Sequence, residues 1–163
     1  MSEKKIAIID DDPFVVAYLR SALLSRMPGI EVVGVVEPVA PAGFGVYIVD
    51  KEFDGDSRGQ DVVHRIRSVS PHSLVLAYSA HLDREFLRAL LREGCEGAFD
   101  KGSLEELDVM MGIIESHFAA HASGDGAVRG LGDTVRAISG LLHEWNLRLA
   151  NTGGAQSKTF GDA

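Results

Sequence analysis

The sequence predicts an α/β protein with a doubly wound, five-stranded parallel sheet. Two observations support this prediction. Short apolar runs typical of buried strands alternate with amphipathic helical patterns along residues 5–122. In addition, several of the apolar runs end on a polar residue. Strands that alternate with helices pair in parallel through right-handed crossovers, and ligands then bind beyond the carboxyl ends of the strands.

The first strand–helix unit is well marked. Residues 5–10, KIAIID, form an apolar run of buried-strand type. Asp12 and Pro13 follow as the N-cap and first residue of a helix. Apolar side chains follow at helical spacing and support the helix: Phe14, Val15, Tyr18, Leu19, Ala22 and Leu23.

The next crossover is irregular. Strands are predicted at residues 30–36 and 46–50, but only EPVAPAGFG stands between them. Two prolines and two glycines do not suit a crossover helix, so the second helix of the fold is predicted to be short or missing. A regular helix is again predicted at residues 59–69.

The last part of the sheet returns to regular alternation. Strands are predicted at residues 73–79 and 97–100, with a helix at 82–94 between them that ends on a glycine. The helix at 103–122 begins with Ser103 as its cap, and Glu106 completes a capping box.

The segment after the sheet divides into three parts. A domain covering residues 1–121 is predicted to be followed by a linker at 122–127, an amphipathic helix at 128–150 and a disordered tail at 151–163. Apolar residues recur in the helix at intervals of three and four. They are Val128, Leu131, Val135, Ile138, Leu141, Leu142, Trp145 and Leu149. This stripe is predicted to form an interface.

The composition of the chain argues against several classes of function. The 163-residue chain carries a net charge of −8, which argues against nucleic-acid binding because phosphate contacts need clustered Lys and Arg. The single cysteine, Cys95, excludes a disulfide framework and a cysteine-based zinc site. No apolar run predicts a signal peptide or a membrane span, so we expect a cytoplasmic protein without membrane contact.

The predicted strand ends carry the chemistry. Asp10, Asp50, Ser79 and Lys101 each lie at the end of a strand, and Asp11 follows Asp10. Because adjacent carboxylates repel one another, the acidic cluster calls for proton uptake or a cation. Oxygen ligands with few protein donors suit Mg²⁺, which retains water and accepts a phosphoryl oxygen. A lysine and a hydroxyl beside one carboxylate make phosphoryl transfer to that carboxylate plausible.

These residues carry a resemblance to a known family. An acidic pair follows strand one (IAIIDDD), an aspartate follows strand three (VYIVD), Ser-Ala follows strand four (YSA) and a lysine follows strand five (FDK). In this order the pattern resembles the response-regulator receiver domain of two-component signalling, with a flavodoxin-like, chemotaxis-regulator-like fold. The resemblance covers residues 4 to about 121.

The resemblance implies roles for individual residues. Asp50 accepts a phosphoryl group from a histidine kinase or phosphotransfer protein, and the chain acts on no substrate other than its own aspartyl phosphate. Asp11 binds Mg²⁺ directly, while Asp10 acts largely through water. The backbone carbonyl of Glu52 completes the metal shell. Three further residues, Ser79, Ala80 and Lys101, hold the phosphoryl oxygens.

The sequence also departs from the family pattern. Ala98 stands where the family often has a switching Tyr or Phe, and Phe99 is predicted to point the opposite way. The loop after Asp50 is long and acidic, without the usual apolar-proline pair. Signalling is therefore expected through protein–protein contacts with a downstream partner, and residues 103–150 are a candidate homodimer surface. Glu52 and His81 are candidates for tuning the lifetime of the phosphoryl group.

Two other functions remain open. The chain is alternatively a phosphorylation-independent interaction module with a vestigial acceptor site. A Ca²⁺-binding loop at residues 50–61 is a weaker alternative, because its acidic spacing resembles an EF-hand loop while a strand precedes it. The histidines at positions 64, 72, 81, 117 and 121 are interpreted as surface or packing residues without the spacing of a metal-ligand set.

Overall fold

The computed structural model describes residues 4–122 of the chain. Its last helix ends at Ala122, the first residue of the predicted linker. The rest of that linker, the helix predicted at 128–150 and the tail predicted at 151–163 lie outside the described residues.

A five-stranded parallel sheet forms the centre of the described chain, in the spatial order β2-β1-β3-β4-β5. The strands are β1 (Lys5–Ile9), β2 (Glu31–Val35), β3 (Val46–Val49), β4 (Leu74–Ser79) and β5 (Gly97–Asp100). The order reverses between β1 and β3, which makes the carboxyl ends of these two strands the expected position of a ligand site. The predicted doubly wound fold is confirmed.

Four helices cover the two faces of the sheet. They are α1 (Pro13–Arg26), α2 (Gly59–Val69), α3 (Arg84–Glu93) and α4 (Leu104–Ala122). Apolar residues of α1 and α4 pack on one face, and those of α2 and α3 pack on the other. Side chains alternate between the faces along each strand, so that Ala98 faces α2 and α3 while Phe99 faces α1 and α4. The opposite orientation predicted for Phe99 is confirmed.

The irregular crossover also has the predicted form. Residues 36–45 contain no helix, and β2 is joined to β3 by an extended loop. Tyr47 of β3 fixes this loop, because its hydroxyl donates a hydrogen bond of 2.5 Å to the carbonyl of Pro41. The ring of Phe44 also packs edge-on against Tyr47, with the ring centroids 5.8 Å apart.

Helix ends follow the sequence signals with one exception. The Asp12 side chain accepts from the amide of Phe14 at the start of α1, and Gly94 ends α3 with a φ of 86°. At α4, Ser103 accepts from the amide of Glu106, as predicted. The Glu106 carboxylate, however, accepts from the amide of Asp100 at the end of β5. It therefore ties α4 to the sheet.

The neighbouring elements cover only part of the apolar stripe of α1. Phe14 is 84% exposed and Tyr18 is 49% exposed, whereas Leu19 and Leu23 are buried. Helical spacing alone does not show how much of an apolar stripe the neighbouring elements cover. Within residues 4–122, no helix has both the length and the apolar character needed to cross a membrane.

Candidate functional site

The site lies where the sheet order reverses. Asp10 directly follows β1, and its amide donates to the carbonyl of Val35 at 3.0 Å. Asp50 directly follows β3, and its amide donates to the carbonyl of Ile9 at 3.0 Å. These two hydrogen bonds continue the ladders of the sheet beyond the strand ends. The backbone of both aspartates is therefore fixed by the sheet.

Three carboxylates meet at this edge. Oxygen atoms of Asp10, Asp11 and Asp50 all lie within 4.8 Å of one another. Asp10 is buried, while Asp11 and Asp50 are partly exposed. Two unit charges at 4 Å repel by roughly 4 kcal/mol at an intermediate effective dielectric. The cluster is thus suited to a hard cation with oxygen ligands, and Mg²⁺ fits the donor set.

Lys101 supplies the positive charge of the site. Its Nζ lies 2.7 Å from Oδ2 of Asp10 and 3.2 Å from Oδ1 of Asp50. Burial by itself lowers the pKa of Lys101, but the hydrogen bonds and charges of the two aspartates outweigh burial and raise the pKa above its ordinary value. Lys101 therefore stays protonated at neutral pH.

The environment of Asp50 differs from that of a surface carboxylate. Burial raises the pKa of Asp50 above its ordinary value, and the charge of Asp10 acts in the same direction. Lys101 and the amide of Lys51 oppose this rise. A cation bound by the cluster would act against this rise in the pKa of Asp50, since it favours the ionised carboxylate.

The loop after Asp50 folds back on the site. The amide of Asp54 donates to Oδ2 of Asp11 at 3.2 Å, and the amide of Gly59 donates to the carbonyl of Lys51 at 2.7 Å. Gly59 passes so close that a Cβ on it would lie 2.1 Å from the carbonyl oxygen of Asp50. A side chain is therefore excluded at position 59 by the backbone of Asp50.

Lys51 connects the site to α3. Its ammonium pairs with the carboxylate of Asp83, which also caps α3 by accepting from the amide of Phe86. The same ammonium lies 5.3 Å from the centroid of the Phe86 ring. The hydrogen bond from Lys51 lowers the pKa of Asp83 below its ordinary value, against the opposite effect of burial.

The residues of the predicted calcium loop are not brought together. Within the described residues, the Asp10–Asp11–Asp50 group is the one set of three or more potential metal ligands that converges. Asp54, Asp56 and Asp61 do not join Asp50 in such a set, and Asp61 lies in the first turn of α2. Because β3 also precedes the loop, the EF-hand geometry is absent from this segment.

The other predicted site residues lie at the same edge without a contact to Asp50. Ser79 is buried at the end of β4, and its hydroxyl interacts with the amide of His81 at 3.3 Å. Ala80 and His81 are exposed. Glu52 is also exposed and pairs with Arg58 as an isolated antiparallel bridge. These positions are compatible with the predicted roles, which stay predictions.

Three residues near the site were missed by the sequence interpretation. Lys51 and Asp83 are 32 positions apart, and nothing in their spacing predicts an ion pair. Gly59 did carry a signal, because a glycine at the first position of a helix is a poor helix former and suggests a close backbone contact.

Several solved structures that share this fold are receiver domains. A CheY-like response regulator receiver domain from Methanospirillum hungatei JF-1 is 19% identical, with a TM-score of 0.64 over 76% of this chain and 100% of that chain. The signal receiver domain of a DNA-binding response regulator from Colwellia psychrerythraea 34H is 22% identical, with a TM-score of 0.57 over 69% and 98%.

A third similar structure contains a phosphoryl mimic. The isolated REC domain of RcsB from Salmonella enterica serovar Typhimurium, solved in the presence of phosphomimetic BeF3−, is 21% identical, with a TM-score of 0.56 over 75% of this chain and 90% of that chain. No family model and no curated protein sequence matches the chain. The likeness establishes the fold of a response-regulator receiver domain.

Proposed function

We propose that this chain, which has the receiver fold, is a phosphoacceptor of two-component signalling with Asp50 as the accepting residue. One observation carries the proposal. The carboxylates of Asp10, Asp11 and Asp50 converge within 4.8 Å, and Lys101 contacts two of them at 2.7 and 3.2 Å. A structural ion pair needs one carboxylate beside the lysine, whereas three carboxylates and one lysine leave excess negative charge that a cation would balance.

The chemistry follows from the position of Asp50. One of its carboxylate oxygens attacks the phosphorus of a phosphohistidine or acetyl phosphate, and a new oxygen–phosphorus bond forms. The bond from phosphorus to the leaving imidazole nitrogen or acetate oxygen breaks, and the leaving group keeps the electron pair. Lys101 stabilises the charge on the phosphoryl oxygens, since its ammonium already lies 3.2 Å from Asp50.

The acidic cluster would hold Mg²⁺ through Asp11, Asp50 and, through water, Asp10. When bound, the cation neutralises negative charge on the incoming phosphoryl group. Two details of this chain support the assignment. Asp10 is already committed, because its Oδ1 accepts from the amide of Asp12 at 2.9 Å and its Oδ2 pairs with Lys101. Asp11 and Asp50 are the more exposed members of the cluster and are open to a cation from solvent.

The remaining residues are assigned lesser roles in this proposal. The hydroxyl of Ser79 and the amide of Ala80 bind phosphoryl oxygens, and the carbonyl of Glu52 completes the metal shell. Glu52 and His81 are exposed beside the site and affect the access of the hydrolytic water. The Ser79 hydroxyl exchanges its present contact with the His81 backbone for the phosphoryl group.

Two exposed apolar side chains beside the site support a protein as phosphoryl donor. Phe14 in the first turn of α1 is 84% exposed, and Leu104 at the start of α4 is 76% exposed. Both helices begin at the edge of the sheet that carries Asp50. A histidine kinase or phosphotransfer protein that presents its phosphohistidine to Asp50 would cover both side chains. Output then passes to a downstream protein, with residues 103–150 as a candidate homodimer surface.

The test is incubation of the full chain with acetyl phosphate and Mg²⁺, followed by intact mass measurement. Wild type is expected to gain the mass of one phosphoryl group, and Asp50→Asn is expected to gain none. Removal of Mg²⁺ with a chelator should abolish the gain. Asp54→Asn is a matched control in the neighbouring loop, and it should be phosphorylated as wild type is.

Two outcomes of this experiment would contradict the proposal. If wild type gains no phosphoryl mass from acetyl phosphate or from histidine kinases of the same genome, the chain is a phosphorylation-independent interaction module. If Asp50→Asn gains mass as wild type does, another residue accepts the group and the assignment of Asp50 is wrong.

A further inference from the structure

A second cluster of titratable side chains lies at the opposite end of the sheet. A cleft there is bounded by the last turns of α4, by the start of β3 and by the turn that joins α2 to β4. His72, His117 and His121 line it, together with Gly45 and Lys5 at the amino ends of β3 and β1. The proposed phosphoacceptor site uses none of these residues.

His117 and His121 are four positions apart on α4, so their side chains lie on the same face of the helix. Their ring centroids are 4.4 Å apart. Two imidazoles that bind one metal ion through nitrogen at 2.0–2.1 Å each place their centroid about 3.2 Å from it. At the tetrahedral angle that Zn²⁺ prefers, the centroids are then about 5.2 Å apart. The two rings therefore have to move apart by about 1 Å to share such an ion, a shift that side-chain rotation allows while the helix stays in place.

Each ring also has a backbone hydrogen-bond partner, as ligand histidines usually do. Nδ1 of His121 lies 2.8 Å from the carbonyl of His117, and as a donor to that carbonyl it leaves Nε2 as the lone-pair nitrogen. Burial, with a smaller effect of His121, lowers the pKa of His117 to about 4, against the raising effect of a hydrogen bond to the Gly45 backbone. The hydrogen bond to Gly45 holds the His117 ring in one orientation.

We propose that His117 and His121 form a binding site for a divalent transition-metal ion of the Zn²⁺ class, with water completing the coordination shell. Imidazole nitrogen favours such ions over Mg²⁺, whereas the carboxylates around Asp50 favour Mg²⁺. A backbone carbonyl that orients the ring of a ligand histidine is the usual second partner at such sites, and His121 has one. Binding would hold the last turn of α4 against the amino end of the sheet.

The test is Zn²⁺ binding by the full chain in excess Mg²⁺, measured by competition with a chromophoric chelator. We expect one Zn²⁺ per chain, and a decrease in affinity of at least about tenfold in His121→Ala, since even loss of an orienting partner costs that much. His117→Ala should show the same loss. His117 is half-buried, so circular dichroism must first show that His117→Ala folds. His121 is exposed, so the result for His121→Ala does not depend on that check.

His64→Ala is the matched control, since His64 is an exposed helical histidine on α2 that pairs with Glu93 at 2.7 Å. It should bind Zn²⁺ as wild type does. The proposal is overturned if His121→Ala retains wild-type affinity, or if binding is lost instead in His64→Ala. Asp50→Asn should keep the zinc site intact, so this test and the phosphorylation test fail independently.

Discussion

The two ends of the parallel sheet present opposite chemistry. At the carboxyl ends of β1 and β3, three carboxylates converge within 4.8 Å, and one lysine contacts two of them. At the amino ends, two imidazoles with ring centroids 4.4 Å apart lie on the last turns of α4 beside a cleft. The first set suits a hard cation and a phosphoryl group, and the second suits a softer metal ion.

The two ends also differ in how they are built. The acidic end is made of residues that directly follow strands, so the hydrogen-bonded ladder fixes their backbone. The histidine end depends on how one helix packs over the sheet, since both histidines belong to α4 and His117 reaches the backbone of Gly45 just before β3. A substitution at one end should therefore leave the chemistry of the other end unchanged. Three substitutions test this independence, in order of decreasing effect.

Gly59→Ala should have the largest effect, on both the stability of the protein and its phosphorylation. The new Cβ would lie 2.1 Å from the carbonyl oxygen of Asp50. Relief of this clash moves the backbone of Asp50 or that of residue 59, and either movement changes the position of Asp50 relative to the loop. We expect a loss of roughly 1–3 kcal/mol in the free energy of unfolding, as for other overpacked sites. Phosphorylation by acetyl phosphate should slow by about tenfold to a hundredfold, since a displacement near 1 Å is costly to group transfer. Urea unfolding and intact mass measure the two effects.

Gly112→Ala is the control for this prediction. Gly112 lies within α4, and the nearest side-chain atom to its added Cβ is Nη2 of Arg26 at 3.9 Å, an ordinary contact. Alanine is favoured over glycine in a helix by about 1 kcal/mol, so this variant should be as stable as wild type or more stable. Phosphorylation of Gly59→Ala at the wild-type rate would show that the close contact does not position Asp50.

Much of the acidic end could be predicted from sequence because it follows from local rules. The strands were visible as apolar runs, and the position of Asp10, Asp50 and Lys101 directly after them predicts their meeting once the pairing is parallel. The missing helix between β2 and β3 was equally visible, since prolines and glycines in EPVAPAGFG exclude it.

What could not be predicted depends on contacts between distant segments. The Lys51–Asp83 pair and the hydrogen bond from Asp54 to Asp11 require the exact path of the loop after Asp50, which no periodicity encodes. The exposure of Phe14 was missed because spacing gives the direction of a side chain and not what covers it. At the histidine end, the spacing of four residues was visible, but the cleft that brings Gly45 to His117 was not.

Asp83→Ala should have an intermediate effect at the acidic end. The side chain of Asp83 accepts from the amide of Phe86 at 2.8 Å, and loss of an N-cap costs about 1 kcal/mol. Asp83→Asn is the matched variant, because asparagine caps helices equally well but carries no charge to pair with Lys51. In urea unfolding, Asp83→Asn should be nearly as stable as wild type, and Asp83→Ala should be less stable than either. Equal losses in the two variants would assign the stabilisation to the ion pair instead of the cap. Zinc affinity should be unchanged in either variant.

Lys51→Met should have the smallest effect on the free energy of unfolding, and the pH dependence of this effect identifies its origin. Lys51 lowers the pKa of Asp83 below its ordinary value in the folded state. A carboxyl whose pKa is lowered by folding adds stability above its unfolded pKa of about 3.9, and this stability is lost as pH falls through the lower folded pKa. Because Asp83 is largely exposed, the difference between wild type and Lys51→Met should not exceed about 1 kcal/mol.

The pH profile then separates the two contacts of Lys51. If the ion pair with Asp83 is the main contact, the difference in unfolding free energy between wild type and Lys51→Met is constant from neutral pH down to about pH 5 and shrinks below pH 4. If the packing over the Phe86 ring is the main contact, the difference is the same at every pH, because neither group of that contact titrates in this range. Urea unfolding of both proteins across the acidic range gives the answer. A difference that grows as pH falls would contradict the lowered pKa of Asp83.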